Sequence, residues 1–226
     1  MALIVKICGL STPEALDVAL DAGADMVGFV FFAPSPRHLA LDTAQALGRR
    51  VGGRALKVAL TVDADDVSLA NAVEALRPDL LQLHGQESPE RVAAVKARFK
   101  LPIMKVIAVE TKDDLAAIAA YASVADRLLF DARAPREATR PGGLGKSFDW
   151  HLLENLDVKL PFMLSGGLDP GNVGAALRIT RAPGVDVSSG VEHAPGKKHP
   201  DKIRAFMRAA RDAEARLASR TVTSPA

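Results

Sequence analysis

Three side chains suited to proton transfer close three β-like runs of this chain. Cys8 ends the run Leu3–Cys8, His84 ends Leu80–His84, and Asp131 ends Arg127–Asp131. A thiolate removes a carbon-bound proton, a carboxylic acid delivers one, and an imidazole holds or passes one. Side chains alternate between the two faces of a strand, so Lys6 shares a face with Cys8, Gln82 with His84, and Leu129 with Asp131. The intervening Ile7, Leu81 and Leu83 are apolar and suited to packing against helices, which turns the polar set the other way, towards one opening. Each residue alone has a plainer reading. A free cysteine is usually a small buried hydrophobe. His84 by itself reads as a core histidine at a strand end, and Asp131 as a cap on the next loop. Leu128-Leu129-Phe130 makes an ionised carboxylate costly beside it, and a carboxyl kept neutral is what a general acid requires. The convergence of all three on one face is what points to acid–base chemistry.

Two glycine-rich turns suggest an anion site next to these groups. Ser165-Gly166-Gly167 follows the run Phe162–Ser165, and Ser188-Ser189-Gly190 follows Val185–Ser188. Glycine lets backbone N–H groups approach a phosphate closely, and small hydroxyl residues add donors; the plainer reading is a pair of ordinary strand-to-helix turns. A third stretch, Gly145-Lys146-Ser147, imitates the end of a P-loop, but that motif requires glycine where Arg140 stands and a strand directly before it. Nucleotide binding is therefore rejected. The five histidines His38, His84, His151, His193 and His199 form neither an i, i+4 pair nor a cluster of zinc spacing. Neither a metal site nor a cofactor is expected.

The elements that must position these residues repeat as a short β-like run followed by a helix-like stretch. Candidate strands are Leu3–Cys8, Asp25–Val30, Lys57–Val62, Leu80–His84, Ile103–Ile107, Arg127–Asp131, Phe162–Ser165 and Val185–Ser188. Helical stripes at three- and four-residue spacing include Ala15, Leu16, Ala19 and Leu20, then Leu69, Val73 and Leu76, and later Ile203, Phe206, Met207 and Ala210. Thr12-Pro13, Ser88-Pro89 and Asp169-Pro170 each place an acceptor before a proline, the signature of a helix start. Eight such units in 226 residues average about 28 residues each, close to the minimum for a strand, a crossover helix and two loops. Alternation of β and α implies a parallel sheet, and eight units favour a closed (β/α)8 TIM barrel of the α/β class. A doubly wound open sheet is the competing architecture. One domain is expected over 1–218, with a frayed tail over 219–226. The longest irregular segment is Ala132–Lys146, and loops of that length are usually functional or disordered.

Composition excludes several other classes. Apolar residues make up 48% of the chain and 29 basic residues face 27 acidic ones, for a net charge of +2. That balance argues against a disordered chain and gives no footprint for nucleic acid. One cysteine rules out an intramolecular disulfide framework. No charge-free stretch approaches the roughly 18 residues of a membrane helix, and the start Met1–Lys6 does not read as a signal peptide. A cytoplasmic protein with no membrane or nucleic-acid partner is expected.

Taken in order, the motifs resemble one family. Lys6-Ile7-Cys8-Gly9, Gly28-Phe29-Val30-Phe31 with Ser35-Pro36-Arg37, and Leu81-Gln82-Leu83-His84-Gly85 are followed by Phe130-Asp131 and by Gly142-Gly143-Leu144-Gly145-Lys146-Ser147-Phe148-Asp149-Trp150. Leu164-Ser165-Gly166-Gly167-Leu168 and Val185-Asp186-Val187-Ser188-Ser189-Gly190-Val191-Glu192 complete the set, which spans all but the tail. This ordered set is similar to the phosphoribosylanthranilate isomerases of tryptophan biosynthesis. The resemblance implies a (β/α)8 barrel and a cofactor-free Amadori rearrangement of N-(5-phosphoribosyl)anthranilate to 1-(o-carboxyphenylamino)-1-deoxyribulose 5-phosphate. It implies Cys8 as general base and Asp131 as general acid, with Arg37 facing the anthranilate carboxylate. It also implies that Gly166, Gly167, Ser188, Ser189 and Gly190 hold the phosphate and that Asp186 lies in the substrate site. His84 is expected to line that site, although the resemblance assigns it no role. Such chemistry calls for a raised pKa at Asp131 and a lowered one at Cys8, and Lys6, two residues back, would favour the thiolate. The segment Ala132–Lys146 is expected to be mobile without ligand and to close over it. A monomer is expected in preference to a dimer.

Three rivals fit less well. The related isomerase of histidine biosynthesis resembles a two-aspartate machine, and Cys8 stands where its first aspartate would be. A metal-dependent pentose-phosphate epimerase would need ligands at several strand ends, where Val30 and Val62 stand instead. A phosphate-binding barrel without catalysis would have no need of both Cys8 and Asp131.

Overall fold

A computed structural model describes residues 2–135 and 137–222. Eight parallel strands form a closed barrel in sequence order: β1 (Ile4–Cys8), β2 (Met26–Phe31), β3 (Leu56–Thr61), β4 (Leu80–Leu83), β5 (Ile103–Val109), β6 (Arg127–Ala132), β7 (Phe162–Leu164) and β8 (Gly184–Val187). Closure is made by β1 against β8, with Lys6 opposite Asp186 and Ile7 opposite Val187. The expected strands are all present, with bounds shifted by at most two residues, and the closed barrel displaces the open-sheet alternative.

The alternation read from the sequence divides the barrel into an inside and an outside. Val5, Ile7, Phe29, Leu81, Leu128 and Phe130 are buried against the helices. The opposite parity, including Met26, Val58, Leu80, Met104, Leu129 and Met163, fills the barrel floor with apolar side chains. One step further up, Lys6, Gln82 and Asp186 replace apolar residues and are buried. Chemistry therefore begins directly above a dry plug.

Helices α1 (Pro13–Asp21), α2 (Leu41–Val51), α3 (Asp66–Leu76), α4 (Pro89–Phe99), α5 (Ala117–Tyr121), α6 (Val173–Thr180) and α7 (Pro200–Val222) surround the barrel. Thr12 and Ser88 cap α1 and α4 as their side chains predict, accepting from Ala15 N at 3.2 Å and Arg91 N at 3.3 Å. Asp169 does not cap α6. It accepts from Gly171 N at 2.7 Å and Asn172 N at 3.0 Å and so shapes a preceding turn, and the helix starts only at Val173. The even strand–helix rhythm also fails once. After β6 the chain makes a single 3-10 turn, Trp150–Leu153, in place of a helix, because the long crossing loop takes up the residues a helix would need. At the other end, α7 continues to Val222, through the first four residues of the expected tail; 223–226 lie outside the described residues. That helix is tied to β1 by Glu214, which accepts from Leu3 N at 2.6 Å, and by Arg211, which meets Asp25 at 2.7 Å.

A buried knot fixes the top of β4. The Glu87 carboxylate accepts from Asp63 N at 3.0 Å, from Gly85 N at 3.0 and 3.1 Å, and from Lys105 Nζ at 2.9 Å. Lys105 also donates to Gly85 O at 2.7 Å, so Gly85, next to His84, is held through both its N–H and its carbonyl. Removing one partner of a buried pair leaves the other charge without compensation, a cost of about 3–5 kcal/mol. Glu87→Ala is therefore expected to lower the urea midpoint strongly, whereas Arg50→Ala, which breaks an exposed bridge to Asp17, leaves it within error of the wild type.

Candidate active site

The strand ends and their loops enclose one cleft of about 790 Å³, measured out to its mouth, lined among others by Cys8, Arg37, His84, Asp131, Asp186 and Ser188. Cys8 ends β1 between Val30 and Leu60, which form an apolar wall beside it. Its room comes from β2: a side chain at Gly28 would place a carbon 2.8 Å from Cys8 Sγ. The thiol is 4% exposed. Burial pushes its pKa up, against the pull of the Lys6 and Lys198 cations and in line with the push of Asp186. The lowered value expected from the sequence is therefore corrected: Lys6 acts in the anticipated direction, but desolvation outweighs it.

Lys6 is fully buried and meets Asp186 Oδ1 at 3.0 Å. Burial pulls its pKa down; Asp186 and Cys8 outweigh that and raise it above the ordinary lysine value. Burial also raises the pKa of Asp186, against Lys6 and with the help of the nearby Asp131. Asp186 thus reaches the cleft as one half of a buried pair.

Asp131, on the inner face of β6, holds its carboxylate by two contacts. Oδ1 accepts from Ala132 N at 2.9 Å, and Oδ2 lies 3.3 Å from His84 Nε2. The other ring nitrogen of His84 lies 3.4 Å from Gln82 Nε2. His84, without a role from sequence, is thus the partner of Asp131. The pair is covered by the crossing loop: a Cβ at Gly142 would come within 2.7 Å of Asp131 Oδ2 and 2.8 Å of His84 Nε2.

The two glycine turns face the same cleft. Gly166 (φ +86°) lies so near β6 that a side chain would meet Ala132 N at 2.7 Å, and Gly167 (φ +64°) is pressed against the Lys146–Ser147 peptide. Ser188 and Ser189 line the cleft. Gly190 stands behind them, packed so closely on the Leu168 carbonyl that no side chain fits. Arg37 lines the cleft as expected, but its Nε and Nη2 form a two-pronged pair with Glu192 at 2.7 and 2.8 Å, and Nη2 also donates to Gly143 O at 3.2 Å.

Sequence reasoning missed the residues behind this wall. Glu192 starts β9 (Glu192–Ala194), and Lys198 ends β10 (Lys197–Lys198), its antiparallel partner. They meet at 2.8 Å with both side chains buried. The only signal was the position of Glu192 at the end of the Ser-Ser-Gly motif. Arg133, Arg140 and Lys146 of the crossing loop also line the cleft and add positive charge at its mouth. Among the described residues, no three His, Cys, Asp or Glu side chains are grouped to hold a metal ion. No helix among them is long and apolar enough to cross a membrane.

Comparison with known proteins agrees with this geometry. A family model described as N-(5'phosphoribosyl)anthranilate (PRA) isomerase matches residues 5–209. The chain is 67% identical to N-(5'-phosphoribosyl)anthranilate isomerase of Bradyrhizobium diazoefficiens over 211 residues, 93% of this chain and 95% of that one. It is 67% identical to the enzyme of the same name from Nitrobacter winogradskyi, with both chains covered in full. Among solved structures it resembles phosphoribosyl anthranilate isomerase of Thermotoga maritima, with a TM-score of 0.83, 32% identity, and 93% of this chain and 99% of that one covered. It also resembles a phosphoribosyl anthranilate isomerase in complex with reduced 1-(o-carboxyphenylamino)-1-deoxyribulose 5-phosphate, with a TM-score of 0.80, 29% identity, and 93% and 99% covered. With this barrel, this cleft and a match along almost its whole length, the chain belongs to the N-(5'-phosphoribosyl)anthranilate isomerases and is an isomerase.

Proposed function

We propose that this protein converts N-(5-phosphoribosyl)anthranilate to 1-(o-carboxyphenylamino)-1-deoxyribulose 5-phosphate in tryptophan biosynthesis, without a cofactor, by general acid–base catalysis. The observation that carries the reading is that Cys8 and Asp131 line one cleft together with Gly166 and Gly167 of the first glycine-rich turn and Ser188 and Ser189 of the second. The solved relative that holds a reduced form of that product supports it. The substrate is a small phosphorylated molecule, and a cytoplasmic, monomeric enzyme of one barrel domain is the simplest setting for it.

In this mechanism Asp131 in its acid form protonates the ribose ring oxygen. The ring opens to a Schiff base, which acidifies the C2 proton. The Cys8 thiolate removes that proton, and the enolamine goes over to the ketone. Lys6 and Lys198 favour the thiolate by charge, while the apolar wall keeps water from competing. His84 holds Asp131 Oδ2 in place. Gly166, Gly167, Ser188, Ser189 and Gly190 shape the phosphate end, and Arg37, steered by Glu192, faces the substrate carboxylate. Asp186 fixes Lys6 from within the site.

Loss of a proton-transfer group typically costs about 10² to 10⁴ in rate or more. Mixing purified protein with phosphoribosylanthranilate is expected to abolish the substrate's fluorescence, and Cys8→Ala and Asp131→Asn each to reduce that rate at least a hundredfold while product binding stays measurable by calorimetry. Retention of about a tenth of the activity by either variant refutes its assigned role.

The thiol electrostatics set a sign for pH. Only the thiolate reacts, and burial places the Cys8 pKa above its ordinary value. Alkylation by iodoacetamide is therefore expected to be slow at neutral pH and to rise about tenfold per pH unit below that pKa. Lys6→Met removes one opposing cation, so both this curve and the pH–rate profile should move to higher pH; profiles that stay in place contradict a role for Lys6.

The crossing loop encloses a ring-opened intermediate by laying Gly142 over Asp131 and His84. Amides of 132–146 are expected to exchange hydrogen rapidly in the free enzyme and at least several-fold more slowly with product bound. Equal protection in both states removes the loop from the mechanism.

A further inference from the structure

We infer that Lys198 is the positioning residue of the phosphate end, holding the Ser188 peptide so that the turn after β8 presents its donors to the ligand. The inference rests on the substrate reading proposed above. Lys198 comes from outside the barrel, on the short β10 strand, and its side chain is 1% exposed. All three of its N–H groups have acceptors: Ser188 O at 2.9 Å, Ser188 Oγ at 3.2 Å and Glu192 Oε1 at 2.8 Å. Two of the three belong to Ser188, the first residue of the Ser-Ser-Gly turn.

The backbone explains why that grip matters. Ser188 has φ −127° and ψ −78°, outside both the helical and the extended regions, so the chain turns sharply there. In a planar trans peptide the carbonyl and the following N–H point in opposite directions. With the Ser188 carbonyl drawn towards Lys198, the Ser189 N–H points away from it. The Ser188 hydroxyl, which receives from Lys198, donates to Cys8 O at 3.2 Å and so ties the same turn to the end of β1. Glu192 completes the arrangement: it bridges Lys198 to Arg37 and accepts from Gly196 N at 3.1 Å. One buried cation thereby sets the phosphate turn directly and the arginine through Glu192.

Burial lowers the Lys198 pKa to about 8, with Glu192 and Cys8 acting to raise it and Arg37 to lower it further. These are the charged and titratable groups that face it from β9, from β1 and from the loop after β2. Lys202 of α7 faces the Glu192 carbonyl instead, donating to it at 2.8 Å. The grip on Ser188 should weaken as Lys198 loses its proton, whereas an arginine stays charged throughout.

The test uses inorganic phosphate as the probe, titrated by calorimetry against the whole protein, and so does not depend on turnover. For the wild type, affinity is expected to fall several-fold between pH 7.5 and 9.5, a range in which phosphate itself only gains negative charge, which works against the fall. Lys198→Met is expected to bind phosphate about tenfold more weakly at pH 7.5, the effect of about 1.4 kcal/mol, and to raise KM by more than it lowers kcat. Lys198→Arg should retain binding and lose the alkaline fall. An alkaline fall that persists in Lys198→Arg assigns it to Cys8 and overturns the inference, as does unchanged phosphate affinity in Lys198→Met. If Lys198→Met does not fold, the pH comparison between the wild type and Lys198→Arg decides alone. A wild type that binds phosphate as expected but does not isomerise phosphoribosylanthranilate refutes the proposed function and leaves the positioning role intact.

Discussion

The ion pair between Lys6 and Asp186 joins the first strand to the last at the seam where the barrel closes. It lies above an apolar floor, where taking two charges out of water is costly and their attraction is correspondingly strong. Such a pair is poor at adding net stability but good at imposing a register, because any slip of β1 against β8 would leave two buried charges alone. Once Lys6 stands opposite Asp186, Cys8 must emerge two residues higher on the same face, and Ser188 two residues higher, just past the end of the neighbouring strand. Cys8 and the Ser-Ser-Gly turn are therefore indexed by one contact, and the Ser188–Cys8 hydrogen bond closes the loop between them.

The same contact determines the thiol's electrical surroundings. Desolvation raises the cost of a Cys8 anion, and Lys6 meets part of that cost only because Asp186 keeps it protonated. Burial by itself pulls a lysine's pKa down. The cations beside Cys8 are thus in place before any thiolate forms, which is electrostatic preorganisation.

Much of this was legible in the sequence, for a physical reason. Strand alternation and helix periodicity are local, so the eight runs and the shared face of Cys8, His84 and Asp131 could be read from neighbouring residues. Boundaries slipped where tertiary packing decides them: the connection after β6 gave up its helix to the crossing loop, and Asp169 shaped a turn instead of capping α6. The partners were not legible. Arg37 and Glu192 are 155 residues apart, Lys6 and Asp186 are 180 apart, and no local pattern announces either pair. The direction of the Cys8 shift was misjudged for the same reason: charge could be read two residues away, whereas desolvation depends on walls contributed by β2 and β3.

Those distant partners also explain why a cleft lined with cations is backed by a buried carboxylate. Arg37 and Lys198 side by side would repel one another, and burial pulls the Lys198 pKa down; Glu192 between them offsets both effects while leaving a net positive charge in the trio. Burial raises the pKa of Glu192, but the two cations outweigh it, and the carboxyl is held below its ordinary value. Its charge is therefore secure wherever Arg37 and Lys198 are protonated. On the proposed function, the phosphate and carboxylate ends of the substrate meet groups whose geometry is set before it arrives, so less ordering is left to the binding step. In this barrel the glycines let the turns pack where side chains would clash, and the Arg37–Glu192–Lys198 chain holds the backbone of the turn after β8.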